Sequence, residues 1–308
     1  MIVKPMDVLT NYEVRKSKKQ KTAFITAVTA YAASQRYSIK LEKGSLGCRN
    51  IVIGDPEKAD YLITAHYDTC AWLPFPNLLT PFSIPLFMLN QLFMTVILMF
   101  VAFLPAILVY SFAPDASWSK PVALLGYFAV LFLILAGPAN RHTANDNTSG
   151  VATLLSIMDS LPENQRHKVC FVLFDLEESG LLGSASYRKV HKAATNRQIV
   201  LNMDCVGDGD ELVLIPNKKL RKQEPAMAKL RKLSGSWGRK SLTIHEKGVA
   251  IYPSDQANFP NGVAVAAFRR SKLFGLYYGR IHTHRDTILE YTNVNLLRAA
   301  IISFVATQ

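Results

Sequence analysis

Five short stretches concentrate the residue types that hold metal ions or move protons. In chain order they are Thr64-Ala65-His66-Tyr67-Asp68-Thr69, Ala144-Asn145-Asp146-Asn147-Thr148-Ser149-Gly150, Phe174-Asp175-Leu176-Glu177-Glu178-Ser179-Gly180, Asn202-Met203-Asp204 and His282-Thr283-His284-Arg285-Asp286-Thr287. Carboxylates gathered without cations repel one another, and a divalent metal removes that conflict. Mixed His and carboxylate donors suit zinc, with cobalt or manganese as substitutes. Each stretch also has a plainer reading. His66–Thr69 alone is a turn after a strand, Asn145–Ser149 a helix cap, and Glu177-Glu178 a solvated helix start favoured by the dipole. It is their conjunction and order that point to metal. His284 reads as a rim residue, because His282 has the right spacing to Asp286. His142, His167, His191 and His245 read as surface or packing histidines.

The surrounding pattern supplies elements that could place these groups together. Asn50–Ile53, Tyr61–Thr64, Lys168–Phe174, Ile199–Met203, Glu211–Ile215, Leu242–His245, Val263–Phe268 and Phe274–Tyr278 read as strands. Asp7–Ala33, Ser149–Leu161, Leu181–His191 and Val294–Val305 have helical spacing. Strands alternating with helices imply a sheet covered on both faces. The acidic and histidine residues fall just after strands, where open α/β sheets place their ligand sites.

The ordered set of motifs resembles the di-zinc aminopeptidase family of clan MH, which includes bacterial leucyl aminopeptidases and, as relatives, glutaminyl cyclases. The resemblance covers most of residues 50–305 apart from an apolar insert. It implies a three-layer α/β/α mixed sheet of the zinc aminopeptidase type. It also implies that Asp146 bridges two zinc ions, that His66 and Asp204 complete one site, and that Glu178 and His282 complete the other. Glu177 is then the general base, Asp68 orients His66, and the Asp146–Asn147 peptide bond is cis. Elementary chemistry agrees with these roles. One carboxylate can hold two metals, and a ligating histidine usually donates its other N–H to a carboxylate. Two departures stand out. Many relatives carry Ser-Asp-His where this chain has Ser254-Asp255-Gln256, and a long segment, residues 67–145, separates the first His from the bridging Asp.

That segment is different in kind. From Cys70 to Asn140 the only formal charges are Asp115 and Lys120. Apolar spans at about 86–110 and 121–137 would be roughly 37 and 25 Å long as helices, against a hydrocarbon core of about 30 Å. Tyr110, Trp118 and Tyr127 could serve as interfacial aromatics. A buried hairpin or an apolar dimer interface is the competing reading. The expected organisation is a catalytic domain from 1–70 and 138–308, with a membrane hairpin at 71–137. Short tethers join the hairpin to His66 and Asp146, so the mouth of the site is expected near the membrane surface. Trp72-Leu73-Pro74-Phe75-Pro76, with Leu78 and Leu79, would form an apolar lip there.

Lys and Arg number 35 against 23 Asp and Glu, a formal charge of +12, and 49% of residues are apolar. This excludes a disordered chain. The basic balance outside the insert places the catalytic domain on the cytoplasmic side by the positive-inside tendency, and basic runs at Arg15–Lys21 and Lys218–Lys240 are expected to meet anionic lipid. No nucleic-acid motif accompanies these runs, so nucleic acid is not an expected partner. Cys48, Cys70, Cys170 and Cys205 form no CxxC pair, which fits a reducing compartment. The N-terminus lacks the apolar stretch of a cleaved secretory signal. The expectation is therefore a membrane-anchored, zinc-dependent exopeptidase of aminopeptidase type acting on peptides, hydrophobic ones among them. A single-zinc glutaminyl-cyclase-like acyltransferase and a non-catalytic membrane protein on a peptidase fold are the alternatives. The sequence leaves terminal-residue preference and oligomeric state open.

Overall fold

The computed structural model describes residues 2–114 and 117–306, so Asp115 lies outside the described residues. Helices α1 (Asp7–Asn11) and α2 (Lys18–Ser34) come first, followed by strands β1 (Ile39–Lys43), β2 (Arg49–Ile53) and β3 (Tyr61–His66). Two long apolar helices, α3 (Ile84–Phe112) and α4 (Ser119–Ala136), interrupt the sheet at this point. Then come α5 (Gly150–Ser160), β4 (Val169–Phe174), α6 (Leu182–Val190), α7 (Lys192–Arg197), β5 (Ile199–Met203) and β6 (Glu211–Pro216). The chain ends with α8 (Glu224–Arg231), β7 (Gly235–Trp237), β8 (Lys240–Ile244), β9 (Gly262–Ser271), β10 (Gly275–Tyr277) and α9 (Tyr291–Ala306).

The strands form one mixed sheet in the order β1-β2-β4-β3-β5-β9-β6-β8-β7, with β10 pairing with β9. Its centre, β4-β3-β5-β9, is parallel. Every residue of β3, β4 and β5 is buried, as expected of strands covered on both faces. One face packs Ile63, Ala65, Phe171 and Leu201 against α2, α5 and α9, through Phe24, Leu154 and Phe304 among others. The opposite face packs Leu62, Val172 and Val200 with Tyr187 of α6 and Phe259. The fold class read from the sequence is the one observed.

Two features of the N-terminal region depart from the sequence reading. Asp7–Ala33 is not one helix, because Ser17 and Gln20 form a reciprocal capping box that starts α2 afresh. The basic run Arg15–Lys21 is not a lipid-facing stripe either. Arg15 is fully buried, and Lys21 is buried against Asp175 at 2.5 Å. Lys16 reaches the carbonyl of Leu135 at the C-terminal end of α4 (3.4 Å), leaving Lys18 and Lys19 exposed. The edge strand β1 was not among the strands read from the sequence, and none of its five residues is fully buried.

Helices α3 and α4 are long and apolar enough to cross a membrane, and α4 buries none of its residues. They pack on each other through small residues. A side chain added at Gly126 of α4 would sit 2.0 Å from the carbonyl oxygen of Ala102 in α3, so glycine permits this approach. The two ends of the insert meet in a short neck. Ala71 bridges Ala139, the Trp72 N–H donates to Pro138, and the Asn140 N–H donates to Cys70.

Candidate metal centre

The ends of three adjacent parallel strands deliver most of the cluster. His66 is the last residue of β3, Glu177 and Glu178 follow β4, and Asp204 follows β5. Asp146 arrives on the irregular turn before α5, and His282 on the loop after β10. The turn lies tightly against β5: a Cβ at Gly150 would come within 2.3 Å of both Asn147 Oδ1 and the Met203 carbonyl. The Asp146–Asn147 peptide bond is cis.

Asp146 sits at the centre. Its Oδ1 lies 3.1 Å from His66 Nε2, and its Oδ2 lies 3.0 Å from His282 Nε2. Asp204 adds a carboxylate oxygen 3.8 Å from His66 Nε2, and Glu178 adds one 3.5 Å from His282 Nε2. Donor atoms of His66, Asp146 and Glu178 all lie within 4.8 Å of one another, as do those of His66, Glu177 and Asp204. The structure therefore brings together every residue singled out from the motifs as a metal ligand or base.

Asp68 faces the histidine it is expected to orient and also holds the glutamate pair. It faces His66 Nδ1 at 3.6 Å, beyond hydrogen-bond reach, and that nitrogen has no partner. Its two oxygens accept the backbone N–H groups of Glu177 (3.0 Å) and Glu178 (3.3 Å). Asp68 thus fixes the backbone of the glutamate pair. Asp286 does the same for Asp146, accepting the N–H groups of Asn145 (2.7 Å) and Asp146 (3.0 Å). His284 is exposed at the rim, beside Trp72 and His142.

Sequence reasoning missed three contributors. Arg15 lies behind the cluster. Its backbone N–H donates to Thr69, and its guanidinium donates to the Tyr67 carbonyl and to Thr148. It therefore ties the loop after β3 to the turn carrying Asp146. Asp255 is buried, with neither carboxylate oxygen hydrogen-bonded. Cys70 is buried within reach of Glu178 and His282. A lone arginine in a basic run and a lone cysteine in an apolar one carry no sequence signal of this kind.

The electrostatics show what the cluster lacks. Burial pushes Glu178 up to about 8 and Glu177 well above the usual carboxylate range, despite opposing imidazoles. Burial alone would depress the histidines. The surrounding carboxylates reverse this, raising His282 to about 9 and His66 well above its ordinary value. Asp146 is held low by both imidazoles against the penalty of burial. The Glu178 Oε1 atom is buried without a partner, as is His66 Nδ1. A donor set of two imidazoles and several carboxylates, balanced only by protons and leaving atoms unsatisfied, fits divalent metal.

The matrix of observations is matched by what the chain resembles. Residues 125–305 match the model of Peptidase family M28, and the chain belongs to that family. The match begins within α4, so His66 and Asp68 lie outside it and are tied to the family by fold. LapA of Legionella pneumophila, described as an aminopeptidase, aligns over 98% of this chain and 70% of its own, with 15% identity and a TM-score of 0.55. The glutaminyl cyclase of Macrostomum lignano aligns over 98% and 86%, with 11% identity and a TM-score of 0.51. At such identities the likeness is one of fold. No match was found among curated proteins.

Proposed function

We propose that this family M28 peptidase is a zinc-dependent exopeptidase of aminopeptidase type, anchored by the α3–α4 hairpin, with residues 1–70 and 138–308 as its catalytic domain. The observation that carries the reading is the arrangement of Asp146, with one oxygen against each of two imidazoles and a further carboxylate on either side. His66, Asp146 and Asp204 would hold one ion, and His282, Asp146 and Glu178 the other. Metal ions bound there supply Lewis-acid polarisation of a carbonyl and a nucleophile at neutral pH.

The chain's own residues do the rest. Glu177, within 4.8 Å of His66 and Asp204, accepts a proton from the attacking water and returns it to the leaving amine nitrogen. Its burial, which raises its proton affinity, suits that task. Asp68 keeps the two glutamates from exchanging places by holding both backbone N–H groups.

The substrate reading rests on the cavity. It measures about 380 Å³, and its walls include Leu79, Ile251 and Tyr278, with Phe87 and Gln91 contributed by α3. A peptide with apolar side chains, reaching the site at the membrane surface, suits such walls. Of the expected apolar lip, Leu79 borders this cavity, whereas Trp72 borders a separate one beside His284. The positive-inside tendency puts the catalytic domain in the cytoplasm.

Detergent-purified protein should carry close to two zinc ions per chain. It should lose peptidase activity on chelation, regain it with zinc or cobalt, and prefer peptides with a free N-terminus over blocked ones. Full activity with one ion per chain would overturn the dinuclear reading and favour a cyclase-type reaction.

A further inference from the structure

Cys70 is the residue of the hairpin neck nearest the metal cluster. Its carbonyl accepts the Asn140 N–H at 3.2 Å, and its neighbour Ala71 bridges Ala139, so both ends of the insert hold it in place. The residue is only 2% exposed and forms no disulfide. Its sulfur, a Glu178 carboxylate oxygen and a His282 ring nitrogen all lie within 4.8 Å of one another. One oxygen of Glu178, Oε1, is buried with no hydrogen-bond partner. Asp146 Oδ2 lies 3.0 Å from His282 Nε2.

We propose that Cys70 is a fourth protein ligand of the ion on the His282 side. This rests on the metal reading above and adds an asymmetry that the five-residue set lacks. One position is closed by an imidazole, two carboxylates and a thiolate. The other has His66, Asp146 and Asp204, with Glu177 beside it as the base. Closed four-ligand zinc positions are typical of structural sites, whereas three protein ligands leave a position open for chemistry. A thiolate also favours zinc over harder ions. Binding displaces the thiol proton to solvent, so no oxidant or reductant is needed. The His282-side ion thereby becomes the tightly held one, fastened to the neck of the hairpin, and the His66-side ion becomes the exchangeable, reactive one.

A second thiol supplies the control. Cys205 also lies near the cluster, within 4.8 Å of Asp146 and Asp204 donor atoms. Those two carboxylates belong to the His66-side set, so Cys205 is the comparison thiol on the opposite side of the cluster.

The test uses the full-length protein in detergent, loaded with cobalt(II). Wild type and Cys205→Ser should show sulfur-to-cobalt charge-transfer absorption in the near ultraviolet, and Cys70→Ser should lose it. In a chelator titration, Cys70→Ser should weaken the tighter of the two sites by about 10–100-fold, the scale on which perturbing a ligand's support weakens metal binding. X-ray absorption of the zinc-loaded wild type needs no variant, and should show half a sulfur per zinc on average at about 2.3 Å. Two bound ions with only nitrogen and oxygen neighbours would overturn the thiolate ligand while leaving the five-ligand centre intact. The same holds if the absorption is lost in Cys205→Ser and kept in Cys70→Ser. Failure to retain any cobalt or zinc would overturn both the inference and the metal reading beneath it.

Discussion

Replacing Glu177 by Gln removes a half-buried carboxylate that lies in the cavity beside His66 and Asp204, yet leaves its shape and its backbone anchor on Asp68 unchanged. None of the five proposed ligands is touched. The loss should therefore fall on proton transfer alone, a contribution of about 10²–10⁴-fold. At 1.36 kcal/mol per tenfold this is about 2.7–5.4 kcal/mol of barrier. Glu178→Gln makes the same chemical change one residue later, where the carboxylate lies 3.5 Å from His282 Nε2. It should instead weaken one metal site. Metal content by mass spectrometry, measured beside kcat on a free N-terminal peptide, separates the two. Glu177→Gln should keep close to two ions and lose turnover with little change in KM, whereas Glu178→Gln should fall towards one ion. If both variants lose metal equally, the division of roles between the adjacent glutamates is wrong. The same conclusion follows if Glu177→Gln retains full turnover.

Three further outcomes follow. Lys21→Met strands the buried Asp175 carboxylate, which keeps only the N–H groups of Arg49 and Leu176. Thermal unfolding should register about 3 kcal/mol of lost stability, and an unchanged midpoint would show that the pair is dispensable. In the metal-free protein, His282 is raised from 6.5 to about 9 and Glu178 from 4.5 to about 8. The His282 contribution is complete below pH 6.5 and lost as pH rises through 9, while ionising Glu178 costs progressively more up to pH 8, so stability should fall between pH 6 and pH 9. Zinc, which binds the deprotonated ligands, should stabilise more at pH 9 than at pH 6, and a metal-free protein that gains stability over that range would contradict the site electrostatics. Replacing Leu86–Gly137 by a short polar linker removes Phe87 and Gln91 from the cavity wall. The folded, metal-loaded product should lose preference for an apolar over a polar peptide of equal length, and an unchanged ratio would reduce the hairpin to an anchor.

The cluster was legible in the sequence because its residues recur in an unusual conjunction: His66 and Asp68, then Asp146, the glutamate pair, Asp204 and His282, most of them beside a β-rich run. Strand ends of a parallel sheet converge, so order along the chain was enough to bring them together. What could not be read was the direction in which a charge points. Arg15 and Lys21 look like solvated bases, and only the tertiary structure reveals Asp175 and the Tyr67 carbonyl as their partners. Asp68 was expected to serve His66, and the structure adds a second task, because its oxygens accept the backbone N–H groups of the glutamates. Such backbone donors carry no side-chain signature. Cys70 is hidden for a related reason: Glu178 and His282 are its neighbours in space and far from it in the chain.

The place of the insert in the sheet also has a bearing on how the molecule is made. Strand β3 is hydrogen-bonded between β4 and β5, yet both partners follow α3 and α4 in the chain. A ribosome adding about 5–20 residues per second therefore releases the two apolar helices on the order of ten seconds before the central strand can find its second neighbour. Asp146, Glu177, Asp204 and His282 all follow the hairpin in the chain. Until then His66 and Asp68 have nothing to meet. The hydrolytic machinery comes together only after the hairpin has left the ribosome, so a nascent chain is unarmed for as long as its apolar helices are being housed.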